Sequence, residues 1–195
     1  MLIGICGGIG SGKSVVSRIV RELGYEVLNC DIEARRLMES SEEIKCRIRD
    51  EISAEVTDGI SLPNRKILAE IVFNDENARL KLNEIVHGAL KDFIRDKAVS
   101  SQQGILFAEA ALMAESGLAA ICDSIWEVKA DSKIRLERII RRDGCSEEHA
   151  IRRIASQRRE EQLMKAYAGK TVVIENFENK SLLDQVTNLL ETLKK

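Results

Sequence analysis

Apolar residues recur along the chain in two spacings, and each predicts a different element. Leu2-Ile3-Gly4-Ile5-Cys6 is an unbroken apolar run of the kind a buried parallel strand shows, although a buried helical turn has the same appearance. The glycine-rich segment that follows decides for a strand. Val16, Ile19, Val20 and Leu23 then repeat at i, i+3, i+4 and i+7, which predicts an amphipathic helix ending at Gly24. Tyr25 to Asn29 reads as a second strand, and Asp31 stands where an N-cap would open a helix carrying Ala34, Leu37 and Met38. From about Ser41 to Val99 the pattern is helical, with Leu80, Ile85, Val86, Leu90 and Ile94 among the apolar positions and breaks near Asp58-Gly59 and Leu62-Pro63-Asn64. That stretch is too long for one crossover helix and predicts an inserted helical subdomain.

Gly104 to Glu109 reads as a third strand ending in a carboxylate, Ser124 to Ala130 as a fourth and Thr171 to Glu175 as a fifth. An arginine-rich helical stretch separates the last two. Leu182, Leu183, Val186, Leu189, Leu190 and Leu193 close the chain as a helical stripe. Strands alternating with helices predict an α/β fold, a five-stranded parallel sheet with helices on both faces.

Charge changes this picture only locally. The chain has 30 Lys and Arg against 32 Asp and Glu, so no global positive field draws it to nucleic acid. From Lys133 to Lys165 ten basic residues face six acidic ones, a net +4, which makes one local basic patch. The five cysteines, at positions 6, 30, 46, 122 and 145, form no C-x-x-C pair and have no histidine at zinc-ligand spacing; they read as reduced thiols. No signal peptide is read at the start, because the first strand leads straight into the glycine loop, and a cytoplasmic location is expected. No apolar run approaches membrane-spanning length, so no membrane partner is expected. The single proline, Pro63, and the lack of Ser/Gly tracts leave no flexible linker and no repeat. Oligomeric state is left open.

Gly7-Gly8-Ile9-Gly10-Ser11-Gly12-Lys13-Ser14 fills every position of G-x-x-x-x-G-K-[ST] between a strand and a helix. Glycines let a backbone wrap an anion, and the helix directs its positive end to the same place. Lys13 is placed to neutralise the β- and γ-phosphates of ATP, and Ser14 to give its hydroxyl to Mg²⁺. The bland reading is a glycine turn that packs helix on strand. Cys6 fits a buried small apolar residue better than a nucleophile, because no base lies near it in sequence.

Switches, motors and kinases share this loop, so other features must discriminate. Asn176-Phe177-Glu178-Asn179-Lys180-Ser181 does not supply the Asn-Lys-x-Asp guanine reader of a switch, and 195 residues leave little room for a motor's coupling elements. A small-molecule kinase needs instead an acceptor pocket and a cover. Arg138 and Arg142 share a helix face, with Arg135 one turn before Arg138, and that face could clamp phosphates. Arg152, Arg153, Arg158 and Arg159 form a second cluster after Asp143-Gly144. The alternative is a solvated helix pair with Glu137, Glu147, Glu148, Glu160 and Glu161 as surface partners.

At this point the chain resembles the dephospho-coenzyme A kinase family over most of its length. The likeness is carried by the phosphate loop, Asp31-Ile32-Glu33-Ala34-Arg35, Asn83-Glu84-Ile85-Val86-His87 and Ala111 to Leu118. It continues through Arg138 to Gly144, Arg153-Ile154-Ala155-Ser156-Gln157 and Val173-Ile174-Glu175-Asn176, in that order. The resemblance implies a P-loop fold of nucleoside-monophosphate-kinase type. Its parts would be a core (about 1–40, 100–132 and 168–195), a helical acceptor-binding subdomain (about 41–99) and a lid (about 133–167). It implies transfer of the ATP γ-phosphate to the ribose 3′-hydroxyl of dephospho-coenzyme A with Mg²⁺, the last step of coenzyme A synthesis.

By the same resemblance Asp31 takes the hydroxyl proton, where its bland role is a helix cap. Gly8, Ile9, Gly10, Ser11, Gly12, Lys13, Ser14 and Val15 hold the phosphates, and Arg138 and Arg142 act on the transferred group. Asn176 lines the adenine pocket, with a turn as its other reading. Arg35 and His87 contact the acceptor, a packed or surface helix residue being the other reading of His87; Glu109, at the end of the third strand on the acceptor side, could orient Mg²⁺ through water, with a helix start or a surface place as its other reading. The chain departs from the family pattern at Cys6, Asn29, Gly88, Ala111, Thr171 and Phe177. Two other readings of the same loop are a kinase for a different acceptor and a nucleotide-binding regulatory protein without turnover.

Overall fold

A computed structural model describes residues 1–56, 65–101 and 103–193, with the backbone alone at Arg65. The helix breaks expected at Asp58-Gly59 and Leu62-Pro63-Asn64 lie outside the described residues.

Five strands, β1 (Leu2–Cys6), β2 (Glu26–Asn29), β3 (Leu106–Glu109), β4 (Ser124–Lys129) and β5 (Thr171–Glu175), make one parallel sheet in the order β2-β3-β1-β4-β5. Every residue of β1 and β3 is buried. Helices cover both sides of these strands, which is why the sequence there is a continuous apolar run and not an alternation. The third strand is shorter than its pattern: the Met1 ammonium donates to the Gly104 carbonyl at 2.7 Å and the Gly104 N–H bonds Ser101 O at 3.1 Å, so Gly104 belongs to a turn. Tyr25 and Ala130 likewise lie just outside β2 and β4.

On one face of the sheet sit α1 (Lys13–Glu22) and the last helix, Leu182–Thr192. Ile3, Ile5, Phe107, Trp126, Val128 and Ile174 from the strands bury against Val16, Val20, Val186 and Leu190 from these helices. Each such side chain contributes about 1.5–3 kcal/mol of transfer free energy. Phe107 packs edge-on to both Tyr25 and Trp126, at 5.7 and 5.1 Å between centroids. Leu23, the last member of the predicted stripe, is 43% exposed because α1 has already ended and Leu23 is its cap. On the opposite face Met113 and Cys122 close so tightly over Gly4 that an added Cβ would lie 2.9 Å from Met113 Cε.

The described chain divides into two compact units, Met1–Asn29 with Lys97–Lys195 and Cys30–Asp96. The second contains α2 (Cys30–Ser40), α3 (Glu42–Glu51), α4 (Arg65–Asn74) and most of α5 (Glu76–Ser100). Its own core is Ile44, Ile48, Val56, Leu68 and Ile85, with Leu37 and Met38 of α2 packed against it. That packing moves α2, placed by sequence with the core up to about residue 40, into the helical unit. Leu80 is exposed and not on the buried stripe of α5, while Ile85, Val86, Leu90 and Ile94 are buried. Asp31 is also shifted in role. The helix begins at Cys30, so Asp31 sits inside the first turn and not at the residue before it.

The remaining elements of the sheet unit are α6 (Leu118–Ile121), α7 (Ser132–Asp143), α8 (Glu147–Ala155) and α9 (Arg158–Met164), followed after β5 by α10, the Leu182–Thr192 helix. Asp131 caps α7 by accepting the Lys133 N–H at 2.8 Å, and Ser146 caps α8 by accepting from His149 at 3.3 Å.

Candidate active site

The loop between β1 and α1 is shaped by where its carbonyls go. Lys13 Nζ donates to Gly7 O at 2.9 Å, Ser11 N–H to Gly8 O at 3.0 Å and Arg135 Nε to Ile9 O at 3.0 Å. Arg138 Nη1 donates to Gly10 O at 3.2 Å and Asn176 Nδ2 to Ser11 O at 2.7 Å. Each carbonyl from Gly7 to Ser11 therefore has a donor. The peptide bonds are trans, and in a trans peptide the C=O and the following N–H point in opposite directions. A carbonyl that is tied down fixes the N–H that follows it in the same peptide, and positive φ at Gly7, Gly10 and Gly12 gives the loop the sharp turns in which successive N–H groups can form an anion-binding nest.

Two glycines are required sterically. Gly12 has φ +100° at the N-cap of α1, where no side chain caps the helix, so the positive end of the helix is left uncovered by a side chain beside the loop. Gly10 has φ +78°, and a Cβ there would lie 2.8 Å from Arg135 O. The site also holds unspent hydrogen-bonding capacity. Ser11 Oγ and Arg135 Nη2 are buried without a hydrogen-bond partner, and Arg135 Nη2 fills the space a Gly8 side chain would take. Buried polar atoms of this kind cost free energy unless a ligand or water satisfies them, and a phosphate chain against the loop suits both.

Around the loop, Arg138 Nη2 also approaches Asn176 Oδ1 at 3.4 Å, and the Asn176 N–H bonds Lys129 O at 2.7 Å. Asn176 thus ties the end of β4 to the phosphate loop. Beside it lies a cavity of about 700 Å³ whose lining includes Ile134, Arg138, Phe177 and Leu182, wide enough for a flat aromatic ring. Glu109 ends β3, buried, in register with Ile5 of β1 and Asn29 of β2. Burial pushes the Cys6 thiol up to about 12, with the Glu127 and Glu160 charges adding to it, so Cys6 is a neutral packing residue and not a nucleophile. Ser14 and Val15 are exposed on the first turn of α1. Among the described residues no group of three or more His, Cys, Asp or Glu could hold a metal. Ser14, exposed beside the loop, is a side chain that could hold a Mg²⁺ brought by a nucleotide.

The arginines divide into those on the loop and those held elsewhere. Arg135 and Arg138 are on it. Arg142 makes a two-pronged bond to Asp143, at 2.7 and 3.0 Å, and Asp143 also accepts from Arg153. These two guanidinium groups, Arg142 first, hold the Asp143 carboxyl at about 2. Arg152 lies 3.6 Å from Glu148 and Arg159 lies 4.0 Å from Glu115, both exposed pairs. Of the second cluster, Arg152, Arg158 and Arg159 are exposed, while Arg153 is half-buried on Asp143.

Asp31, Arg35 and His87 belong to the helical unit. Asp31 and Arg35 are four apart on α2, both exposed, and therefore share one face. His87 is half-buried on α5.

Two residues have positions that periodicity did not mark. Glu160, expected among the surface carboxylates, is buried on α9 and accepts the N–H groups of Ala114 and Glu115 at 2.7 and 2.9 Å. Desolvation raises its pKa against those bonds. Gln157 stands at the N-cap of α9 without capping it, and its Oε1 accepts the Ile9 N–H at 2.6 Å. The hints in sequence are their spacing of three, which puts both on one side of a helical turn, and the place of Gln157 at the end of a segment that carries the family resemblance.

A family model for dephospho-CoA kinase matches residues 1–182. A dephospho-CoA kinase of Porphyromonas gingivalis is 36% identical over 193 residues, covering 98% of this chain and 94% of its own. The crystal structure of a Thermus thermophilus protein superposes with a TM-score of 0.73 at 30% identity, covering 100% of this chain and 96% of that one. A Campylobacter jejuni dephospho-CoA kinase gives 0.67 at 25% identity, with 98% and 96% covered.

Proposed function

The chain belongs to the dephospho-CoA kinase family, and from that footing we propose that it transfers the ATP γ-phosphate to the ribose 3′-hydroxyl of dephospho-coenzyme A, releasing coenzyme A and ADP. The observation that carries this reading is the phosphate loop, with each carbonyl from Gly7 to Ser11 given a donor and the N-terminus of α1 beside it capped by no side chain.

The loop amides and Lys13 hold the β- and γ-phosphates, and Lys13 exchanges the Gly7 carbonyl for them. Asn176 and the cavity beside it take the adenine. Arg35 and His87 bind the acceptor, and Asp31 accepts the proton of the 3′-hydroxyl as its oxygen bonds to the γ-phosphorus. The bond from that phosphorus to the β–γ bridging oxygen breaks, and ADP leaves. Arg138 neutralises charge on the transferred group, joined by Arg142 once it gives up Asp143. Mg²⁺, when bound, supplies charge neutralisation at the β- and γ-oxygens. Ser14 offers it a hydroxyl, and Glu109 orients its water.

A coupled assay of ADP release with dephospho-coenzyme A, AMP, adenosine or shikimate tests the reading. Stoichiometric ADP is expected with dephospho-coenzyme A alone. Equal release with another acceptor, or with none, overturns it.

A further inference from the structure

Ile9 is held from two directions by residues that lie more than a hundred positions away. Its N–H goes to Gln157 Oε1 at 2.6 Å and its C=O receives Arg135 Nε at 3.0 Å. These bonds fix two successive peptide planes, Gly8–Ile9 and Ile9–Gly10. Orienting the second decides where the Gly10 N–H points, because it is antiparallel to the Ile9 carbonyl. Without both anchors, a segment with glycine on either side of Ile9 has several backbone states of similar energy.

The anchors are themselves fixed. Arg135 rides on α7, its side chain 12% exposed, and its backbone oxygen lies against Gly10. Gln157 opens α9 but leaves that helix without a side-chain cap, which is the cost of spending its amide oxygen on Ile9. One turn later Glu160 pins α9 to the Ala114 and Glu115 amides after β3. The bonds run from the segment behind β3, through α9, to the phosphate loop.

We propose that Gln157 and Arg135 are positioning residues for the phosphate loop: Gln157 acts through Ile9 alone, Arg135 holds Ile9 with Nε while its Nη2 is left for a phosphate, and together they preset the Gly8–Gly10 backbone in the shape that receives the phosphates of ATP. Affinity for ATP is then written partly in α7 and α9 and not only in the glycine pattern. The proposal rests on the reading of the loop as the ATP site.

The test compares Gln157→Met, which keeps length but loses the acceptor, with Arg135→Lys, which keeps charge but moves the donor. ATP binding by calorimetry in the presence of Mg²⁺ is measured beside steady-state kinetics and melting. Loss of one such bond corresponds to roughly a 2- to 13-fold weakening. The expected result is an ATP Kd and KM raised by that factor in each variant, with the acceptor KM within about two-fold, melting unchanged, and a double variant less than multiplicative because both act on Ile9. An ATP Kd equal to wild type overturns the proposal. So does a parallel loss of ATP affinity, acceptor affinity and melting temperature, which would be general loosening. If dephospho-coenzyme A proves not to be the acceptor, the calorimetric arm still reads the loop, so the two failures are separable.

Discussion

At the scale of single residues, Lys13 and Asp31 make the clearest cases. Lys13 Nζ donates to the Gly7 carbonyl of its own loop and takes no part in the buried sheet core, so its removal leaves that core untouched. Lys13→Ala is expected to keep its melting temperature while kcat falls by at least 10²-fold and ATP binding weakens, since the β- and γ-phosphate charge loses its partner. Near-normal specific activity in the folded variant would remove Lys13 from the mechanism. Asp31 has two possible roles of very different size. As an acid in the first turn of α2 it contributes about 0.3–1 kcal/mol through the helix dipole, and Asp31→Asn would cost no more than that. As the base for a ribose hydroxyl it would be worth roughly 10²- to 10⁴-fold in kcat. Melting measured beside phosphorylation of dephospho-coenzyme A separates them, and an unchanged kcat would sink the base and send the search to Glu109. The loop residues were legible because each chemical need there dictates a residue type at a fixed spacing. Gln157 was not, because a glutamine oxygen that meets a peptide N–H 148 positions away leaves no local pattern.

At the scale of elements, the strands were readable to within a residue or two, β1 and β3 because burial on both faces writes an apolar run, and β5 through its β-branched residues although Val172 and Val173 are exposed. Their ends were less so, since turn contacts such as Met1 to Gly104 decide them. Helix α7 shows what a shared face does and does not predict. Arg138 and Arg142 are one turn apart, yet Arg138 bonds the phosphate loop and Arg142 bonds Asp143, because a carboxylate next in sequence outcompetes a more distant partner. The Arg142–Asp143–Arg153 cluster joins the end of α7 to α8, and it gives a pH signature. The Asp143 carboxyl titrates at about 2 in the folded chain against an ordinary 3.8. Its folded pKa is the lower one, so the stabilisation is complete above about pH 4 and disappears as pH falls through 2. Asp143→Asn should therefore lower the melting temperature at neutral pH, by a margin that shrinks steadily between pH 4 and 2. A margin that stayed constant over that window would mean the carboxylate charge contributes nothing there. Glu160 makes a stability prediction of a different kind. Glu160→Ala strands the Ala114 and Glu115 amides in a buried place, and a loss of about 1–3 kcal/mol is expected in denaturant titration. A change under 0.5 kcal/mol would show that water replaces the carboxylate without penalty.

At the scale of the whole molecule, the sequence announced an α/β sheet with a helical insertion, and the parallel five-stranded sheet is present. The limit of the insertion was harder to read. Leu37 and Met38 have the spacing of any amphipathic helix, and only the presence of Ile44 and Ile48 as packing partners assigns α2 to the helical unit. The order β2-β3-β1-β4-β5 has a further consequence, for the time before the chain is complete. β1 leaves the ribosome well before its partners, since Leu2 pairs with Leu106 and Ile3 with Ser124. At about 5–20 residues per second, this wholly apolar segment waits on the order of ten seconds for its neighbours. During that interval its unpaired backbone is a template for other nascent chains, while the helices of Cys30–Asp96, built from local contacts, can already form. The centre of the finished sheet is thus the chain's most vulnerable segment during synthesis, and translation slowed before residue 106 should raise the yield of aggregated protein.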